Sequence, residues 1–154
     1  MASADESIAT SMEMAELGTI DMGLEVVTLP VSDVDRAKRF YQSLGWRLDA
    51  DIVVGDDHRT VQFTPPHSQC SIHFGKGLTA AEPGSADRLI LAVKDIDAAR
   101  DDLISRGVDV GEVSAPDSEE GRSYYTTASF SDPDGNGWVL QEITTRLPGR
   151  EWED

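Results

Sequence analysis

The chain has a single cysteine, Cys70, among its 154 residues, so it cannot form an internal disulfide. It also lacks an uninterrupted apolar stretch of about 20 residues, the length that a membrane-spanning helix needs. Its N-terminus shows neither the basic patch nor the apolar run of a secretion signal. These absences favour a cytoplasmic protein that needs no oxidising compartment.

Basic residues are scarce in this sequence. Only 13 Lys and Arg side chains stand against 29 Asp and Glu side chains, which gives a formal net charge of −16. Nucleic acids and anionic membrane surfaces would repel such a charge, so we expect neither as a partner. We interpret the acidic side chains as a solvated surface.

The two ends of the chain differ from its middle. Residues 1–22 are mostly small, polar or acidic, and we interpret them as a mobile tail with one helical turn around residues 11–17. Residues 147–154 combine turn-forming and charged residues, so they are interpreted as a C-terminal tail. Trp152 is the one residue of this tail that suggests docking. Residues 23–146 between the tails are predicted to form one domain.

An internal repeat lies within this domain. The segment from Val31 to Gly45 recurs from Val93 to Gly107, at a constant offset of 62 and without a gap. The identical pairs are Val31 and Val93, Asp33 and Asp95, Asp35 and Asp97, Ala37 and Ala99, and Gly45 and Gly107. The repeat predicts two modules, at about residues 23–77 and 87–146.

Each copy of the repeat predicts a strand followed by a helix. Short apolar runs with β-branched residues, at residues 24–31 and 89–93, are typical of strands. Asp33 and Asp95 stand where a side-chain oxygen caps the backbone donors of a following helix. The glycine that closes each copy is where a helix ends in the left-handed conformation. Further strands are predicted at residues 47–54, 60–64, 71–74, 108–113, 124–130 and 138–143. The pattern predicts an α+β fold.

A set of motifs follows in order along the chain: Val31, Asp33, Phe40-Tyr41, Leu44-Gly45 and the turn Asp132-Pro-Asp-Gly-Asn136. This set resembles the vicinal oxygen chelate superfamily of glyoxalases, bleomycin resistance proteins and extradiol dioxygenases. The resemblance covers about residues 23–145 and implies two tandem βαβββ modules whose sheets curl around a shared cleft. It also implies a homodimer, because many members are homodimers, some with clefts built across the interface. The motif residues themselves are interpreted as helix caps and a turn, with no chemical role.

Catalytic members of that superfamily usually hold a divalent metal with His, Glu or Gln side chains from the first and last strands of the modules. Such ligands suit Fe, Mn, Ni and Zn and leave positions open for substrate oxygens. The resemblance puts the first-strand positions on Val26 and Arg88 and one last-strand position on Val139, and none of these binds a metal. Only His73, near the fourth position, is a suitable ligand. We therefore expect no metal cofactor.

A divalent metal is the alternative cofactor. A shift of one residue along both first strands selects Glu25 and Asp87, and His73 and Glu142 would join Glu25 as ligands. Such a shift turns every side chain of a strand to the opposite face, so the register without a metal is preferred. In that register Glu142 serves structure or an interface.

In a cleft without a metal, Arg88 is a candidate anion anchor, because a guanidinium binds carboxylates and phosphates through paired hydrogen bonds. The alternative is an exposed arginine paired with an acid. His73 is the candidate base or hydrogen-bond partner, and a satisfied sheet histidine is its alternative. Gln141 would share the cleft face with Val139 and contact a ligand. Tyr125 would border the mouth of the cleft.

Three functions follow from these alternatives. The preferred one is a metal-free cleft that binds or transforms a small organic molecule. The second is a metal-dependent lyase, isomerase or dioxygenase, in which the metal polarises substrate oxygens while a carboxylate moves protons. The third is a drug- or metabolite-sequestering protein without turnover. The sequence contains no nucleotide-binding glycine loop and identifies no substrate.

Overall fold

The computed structural model of the protein describes residues 16–118 and 122–153. The helical turn predicted around residues 11–17 lies outside this part of the chain, except for residues 16 and 17, which form neither helix nor strand. Within the described residues, no helix is long and apolar enough to cross a membrane.

Two curled sheets, each with one long helix on a single face, make up the predicted α+β fold. The first module consists of β1 (Val26–Thr28), α1 (Val34–Ser43), β2 (Arg47–Val54), β3 (His58–Thr64) and β4 (Ser71–Lys76). The second consists of β5 (Leu89–Val93), α2 (Ile96–Ser105), α3 (Arg122–Tyr125), β6 (Thr127–Ser131) and β7 (Gly137–Glu142). The sheet orders are β1-β4-β3-β2 and β5-β7-β6, with β1 parallel to β4 and β5 parallel to β7.

The two long helices begin and end where local signals predict. They span ten residues each and begin 62 residues apart. The side chains of Asp33 and Asp95 each accept a hydrogen bond, at 3.0 and 3.1 Å, from the backbone N–H three residues further on. Gly45 and Gly107 follow the helices with φ of 83° and 90°, a conformation that glycine adopts without strain. Both caps and both stops are confirmed.

The strand predicted at residues 108–113 is not formed, and this prediction was wrong. The segment runs beside β6 with only isolated backbone contacts, among them a bond of 2.8 Å from Gly111 N to Ser129 O and a bridge between Ser114 and Thr127. Val108 and Val110 are buried and hold the path of the segment. A glycine without a side chain to pack interrupts the run, which weakens a strand.

A buried polar network joins the two modules through the Asp132-Pro-Asp-Gly-Asn136 turn. The Tyr41 hydroxyl donates to Asp132 Oδ2 at 2.8 Å and accepts from Trp138 Nε1 at 2.9 Å. Asn136 Nδ2 donates to Asp132 Oδ2 at 2.8 Å and to the Pro30 carbonyl at 2.9 Å. Burial, and then the charge of Asp132, raise the pKa of Tyr41 well above its usual range. The predicted turn is formed, and the structure adds that it is a structural joint between the modules.

Candidate functional site

One face of the second sheet packs on the core and the other is open. In the parallel pair β5 and β7, Ile90 lies opposite Val139 and Ala92 lies opposite Gln141. The side chains that alternate with these pack in the core: Leu89, Leu91, Val93, Trp138 and Leu140. Because neighbouring side chains of a strand point to opposite faces, Ile90, Ala92 and Gln141 share the open face. Ile90 remains 52% exposed, so this face offers apolar surface.

A pocket of about 310 Å³ lies on this open face. Its apolar part is formed by Ile90, Ala92, Ile143 and Leu147. Its polar part is formed by Tyr124, Gln141, Arg146 and Arg150. Apolar walls with a few convergent polar groups, in a volume of about 300–1,000 Å³, are typical of small-molecule sites.

The segment that follows β7 forms one wall of the pocket. Trp152 Nε1 donates to the Ile143 carbonyl at 2.8 Å, which folds the segment back toward the end of β7. The Arg146 guanidinium lies over the Trp152 ring, 4.6 Å from its centroid. The Tyr124 hydroxyl donates to the Thr145 carbonyl at 3.3 Å. Three contacts thus hold the wall that carries the two arginines.

Gln141 and Tyr124 meet at the rim of the pocket. Gln141 Nε2 donates to the Tyr124 carbonyl at 2.7 Å. Tyr124 has a φ of 76°, a left-handed conformation that is strained for a residue other than glycine. The hydrogen bond from the side chain of β7 therefore helps to hold a strained backbone beside the pocket. Tyr125, which the sequence suggested at the mouth, is 47% exposed and does not line this pocket.

Arg88 lies apart from the pocket. It precedes β5, whereas the pocket extends toward the C-terminal ends of β5 and β7. Its side chain is exposed, its φ is 56°, and its backbone N–H donates to Asp87 Oδ1 at 2.9 Å. Its role as an anion anchor stays a prediction.

His73 lies on the open face of the first sheet. Its Nε2 is 2.6 Å from Thr28 Oγ1, and burial lowers its pKa, which favours the neutral imidazole. A second polar cluster follows on the same sheet: Ser71 Oγ and Thr64 Oγ1 are 2.6 Å apart, and Thr64 donates to Asp49. These polar side chains, of which Thr64 and Ser71 are buried, are separate from the pocket on the second sheet.

The alternative metal ligands are not brought together within the chain. Glu142 is buried on the core side of β7, and its Oε2 accepts from the Ile96 backbone N–H at 3.1 Å. His73 is on the other sheet, hydrogen-bonded to Thr28, and Asp87 Oδ1 accepts a backbone N–H. Nowhere in the described residues do three or more His, Cys, Asp or Glu side chains form a group that could hold a metal. Glu25, His73 and Glu142 are therefore not gathered into one metal-ligand group among the described residues of the chain.

Sequence reasoning missed Arg146, Leu147 and Arg150, which follow the last predicted strand, and Ile143, which is the last residue of that strand. A signal was available in the composition. Two arginines four positions apart are conspicuous in a chain with so few bases, and they flank the apolar Leu147. Their approach to β5 depends on how the segment folds back, which local patterns do not determine.

Comparison with known proteins identifies the family. The model of the Glyoxalase/Bleomycin resistance protein/Dioxygenase superfamily matches residues 23–140. TnmS3, an antibiotic binding protein from Streptomyces sp. CB03234, is 31% identical, with a TM-score of 0.69 over 82% of this chain and 99% of that one. A glyoxalase/bleomycin resistance protein from the same Streptomyces strain is 32% identical, with a TM-score of 0.63 over 77% of this chain and 99% of that one.

A further similar structure comes from Sphaerobacter thermophilus DSM 20745, a member of the same superfamily. It is 28% identical, with a TM-score of 0.65 over 79% of this chain and 98% of that one. No curated protein matches the chain. The family match, the solved structures and the motifs agree, and the chain belongs to the glyoxalase/bleomycin resistance protein/dioxygenase superfamily, the vicinal oxygen chelate superfamily.

Proposed function

We propose that this protein binds a small organic molecule in the pocket on the second sheet and holds it without chemical change. The observation that carries the proposal is the composition of the pocket. Four apolar side chains are combined with Tyr124, Gln141 and two arginines. Among the described residues that line it, none is a carboxylate, a histidine or a cysteine, the groups that most often move protons or act as nucleophiles.

The similarity to TnmS3 supports binding as the function. TnmS3 is described as an antibiotic binding protein, and it matches this chain at 31% identity over most of both chains. Sequestration needs only a complementary pocket, whereas catalysis needs groups that stabilise a transition state more strongly than the ground state. The apolar floor of this pocket, with hydrogen-bonding groups at its rim, meets the requirement for binding.

A blocked pocket tests this proposal. In Ile90→Trp, a large ring would fill the apolar floor, and Ile90 is exposed enough for the sheet to tolerate it. Ile104→Trp, at a 44% exposed position of α2 outside the pocket, is the matched control. A panel of aromatic antibiotics is screened by thermal shift, and hits are titrated by calorimetry. We expect binding at one ligand per chain that Ile90→Trp abolishes and Ile104→Trp keeps.

Recovery of the ligand separates binding from turnover. After long incubation with the protein, the extracted compound should have an unchanged mass and chromatographic retention. A product that accumulates beyond one equivalent per chain would show an enzyme and contradict sequestration. Binding that Ile90→Trp leaves intact would place the ligand elsewhere.

We also propose that the protein is a homodimer. The edge strand β2 carries three consecutive apolar residues, Ile52, Val53 and Val54, that are 55%, 66% and 67% exposed. Exposed apolar edge strands are surfaces that other chains cover. Light scattering after gel filtration should give twice the mass of the chain, and Val53→Lys should shift it to the monomer. A monomeric mass for the unaltered protein would contradict the dimer.

A further inference from the structure

The charge of the pocket differs in sign from that of the whole chain. The chain carries a formal net charge of −16, yet both charged side chains that line the pocket are arginines, Arg146 and Arg150. Five other basic residues form ion pairs with carboxylates: Arg36, Lys38, Arg47, Arg59 and Arg106. Neither pocket arginine forms an ion pair with any described residue. Two guanidinium groups at one small pocket produce a local positive potential that attracts anions.

The fold of the C-terminal segment positions both groups. The Arg146 guanidinium lies over the Trp152 ring, 4.6 Å from its centroid, a cation–π contact that holds it at the pocket. The Arg150 backbone N–H donates to the Leu147 carbonyl at 3.2 Å, and Gly149 has a φ of 91° in this turn. The turn brings Arg150 back to the pocket that Arg146 and Leu147 also line.

The nearest acid in sequence is already engaged. Glu151 Oε1 accepts a hydrogen bond from the Gly149 backbone N–H at 2.5 Å. This contact uses one carboxylate oxygen to close the turn, and Glu151 forms no ion pair with Arg150 in the described part of the chain. A ligand with its own anionic group would therefore supply the negative charge that pairs with Arg146 and Arg150.

We propose that the ligand of this pocket is an amphiphilic organic anion, in which a carboxylate, sulfonate or phosphate is held by Arg146 and Arg150 and an apolar body lies on Ile90 and Ala92. This inference rests on the proposed function, since it names the chemical class that the binding pocket takes. Guanidinium groups form short, charge-assisted hydrogen bonds with such oxygens, often in pairs. The apolar floor excludes a small inorganic anion as the preferred ligand, because such an ion leaves that surface uncovered.

Two fluorescent dyes provide a matched test. 1-Anilinonaphthalene-8-sulfonate carries a sulfonate, and N-phenyl-1-naphthylamine is the same aromatic body without it. Each dye is titrated into the full chain, the Arg146→Gln/Arg150→Gln double variant and an Arg39→Gln control. Arg39 is exposed on α1 and does not line the pocket, so this variant removes one positive charge elsewhere, as Arg150→Gln does at the pocket.

The unaltered protein should bind the sulfonate dye at least about 10-fold more tightly than the neutral dye, a difference of one decade in dissociation constant. The double glutamine variant should lose this preference, because its affinity for the sulfonate dye should fall more than its affinity for the neutral dye. The Arg39→Gln control should keep the preference. Added salt should weaken binding of the sulfonate dye alone, because screening acts on the charged contact.

Further variants separate charge from structure. Loss of Arg146 also removes its stack on Trp152, so Arg150→Gln alone, which keeps the stack, should still lower the affinity for the sulfonate dye severalfold. The Arg146→Lys/Arg150→Lys variant keeps both charges and should retain part of the preference. If it behaves like the double glutamine variant, the role assigned to charge is wrong.

The outcomes distinguish the two proposals. Equal affinity for both dyes, or a preference that survives in the double glutamine variant, overturns the anion proposal and leaves the binding function in place. Binding of neither dye, with a folded protein by circular dichroism, overturns both.

Discussion

The hydroxyl of Tyr41 donates a hydrogen bond of 2.8 Å to Asp132 Oδ2, across 91 positions of the chain. Tyr41 is fully buried on α1 of the first module, and Asp132 begins the turn between β6 and β7 of the second. The same carboxylate also accepts hydrogen bonds from the side chain and backbone of Asn136. One carboxylate thus fixes the position of the two modules relative to each other.

Removal of this hydroxyl should destabilise the fold. In Tyr41→Phe, Trp138 Nε1 loses its buried acceptor and Asp132 loses a donor. Leaving a buried polar group unsatisfied costs about 1–3 kcal/mol, so the free energy of unfolding should fall by about that amount. Urea denaturation measures it. Tyr125→Phe, at a position 47% exposed, is the control and should leave the unfolding midpoint unchanged.

The two helix caps should contribute similarly to stability. Asp33→Ala and Asp95→Ala each remove the oxygen that satisfies a backbone donor in the first turn of α1 or α2. Each should lower the free energy of unfolding by about 0.5–2 kcal/mol. Asp101→Ala, at an exposed position within α2, serves as the control for charge. If both cap variants unfold at the same urea concentration as the unaltered protein, the caps are not stabilising.

The ring of Trp152 should matter for binding more than for folding. It is partly exposed, and it holds the C-terminal segment through one hydrogen bond and the stack with Arg146. We expect Trp152→Ala to weaken binding of N-phenyl-1-naphthylamine severalfold with little change in melting temperature. Trp152→Phe, which keeps a ring under Arg146, should have the smaller effect. Unchanged affinity in Trp152→Ala would mean that the segment does not shape the pocket.

His73 should make the fold sensitive to mild acid. Burial lowers the pKa of His73 in the folded protein below its pKa in the unfolded chain, which is about 6.5. The contribution of the neutral imidazole to stability is therefore complete above about pH 6.5, and it is lost as the pH falls through the pKa of the folded protein. His73→Gln cannot take up this proton. Its melting temperature should therefore fall less than that of the unaltered protein between pH 7.5 and 5.5. Equal losses in the two proteins would exclude His73 as the source.

Local signals in the sequence predicted the helices well. A cap and a glycine lie within a few residues of the helix ends that they determine, and the hydrogen bonds of Asp33 and Asp95 are made to backbone groups three positions away. The segment at residues 108–113 differs, because a strand exists only where a partner supplies a ladder. Alternation alone did not reveal that Gly111 would meet β6 at a single point.

The candidate site also combines features that local patterns predict with features that depend on distant parts of the chain. The alternation along β7 indicated that Gln141 and Glu142 face opposite sides, and Gln141 lines the pocket while Glu142 lies beneath the sheet. The approach of Arg146 and Arg150 to Ile90 joins parts of the chain more than 50 positions apart. No periodicity encodes such a contact, which is why Arg88 was the arginine that the sequence suggested.

The residues matched by the family end at position 140, and five of the eight residues that line the pocket lie beyond it: Gln141, Ile143, Arg146, Leu147 and Arg150. The residues that determine the architecture and most of the residues that line the pocket therefore lie in different parts of the sequence. The terminal segment can change its side chains without disturbing the joint at Asp132 or the helix caps. Grafting a different segment after β7 is thus a direct route to a new ligand preference on an unchanged scaffold.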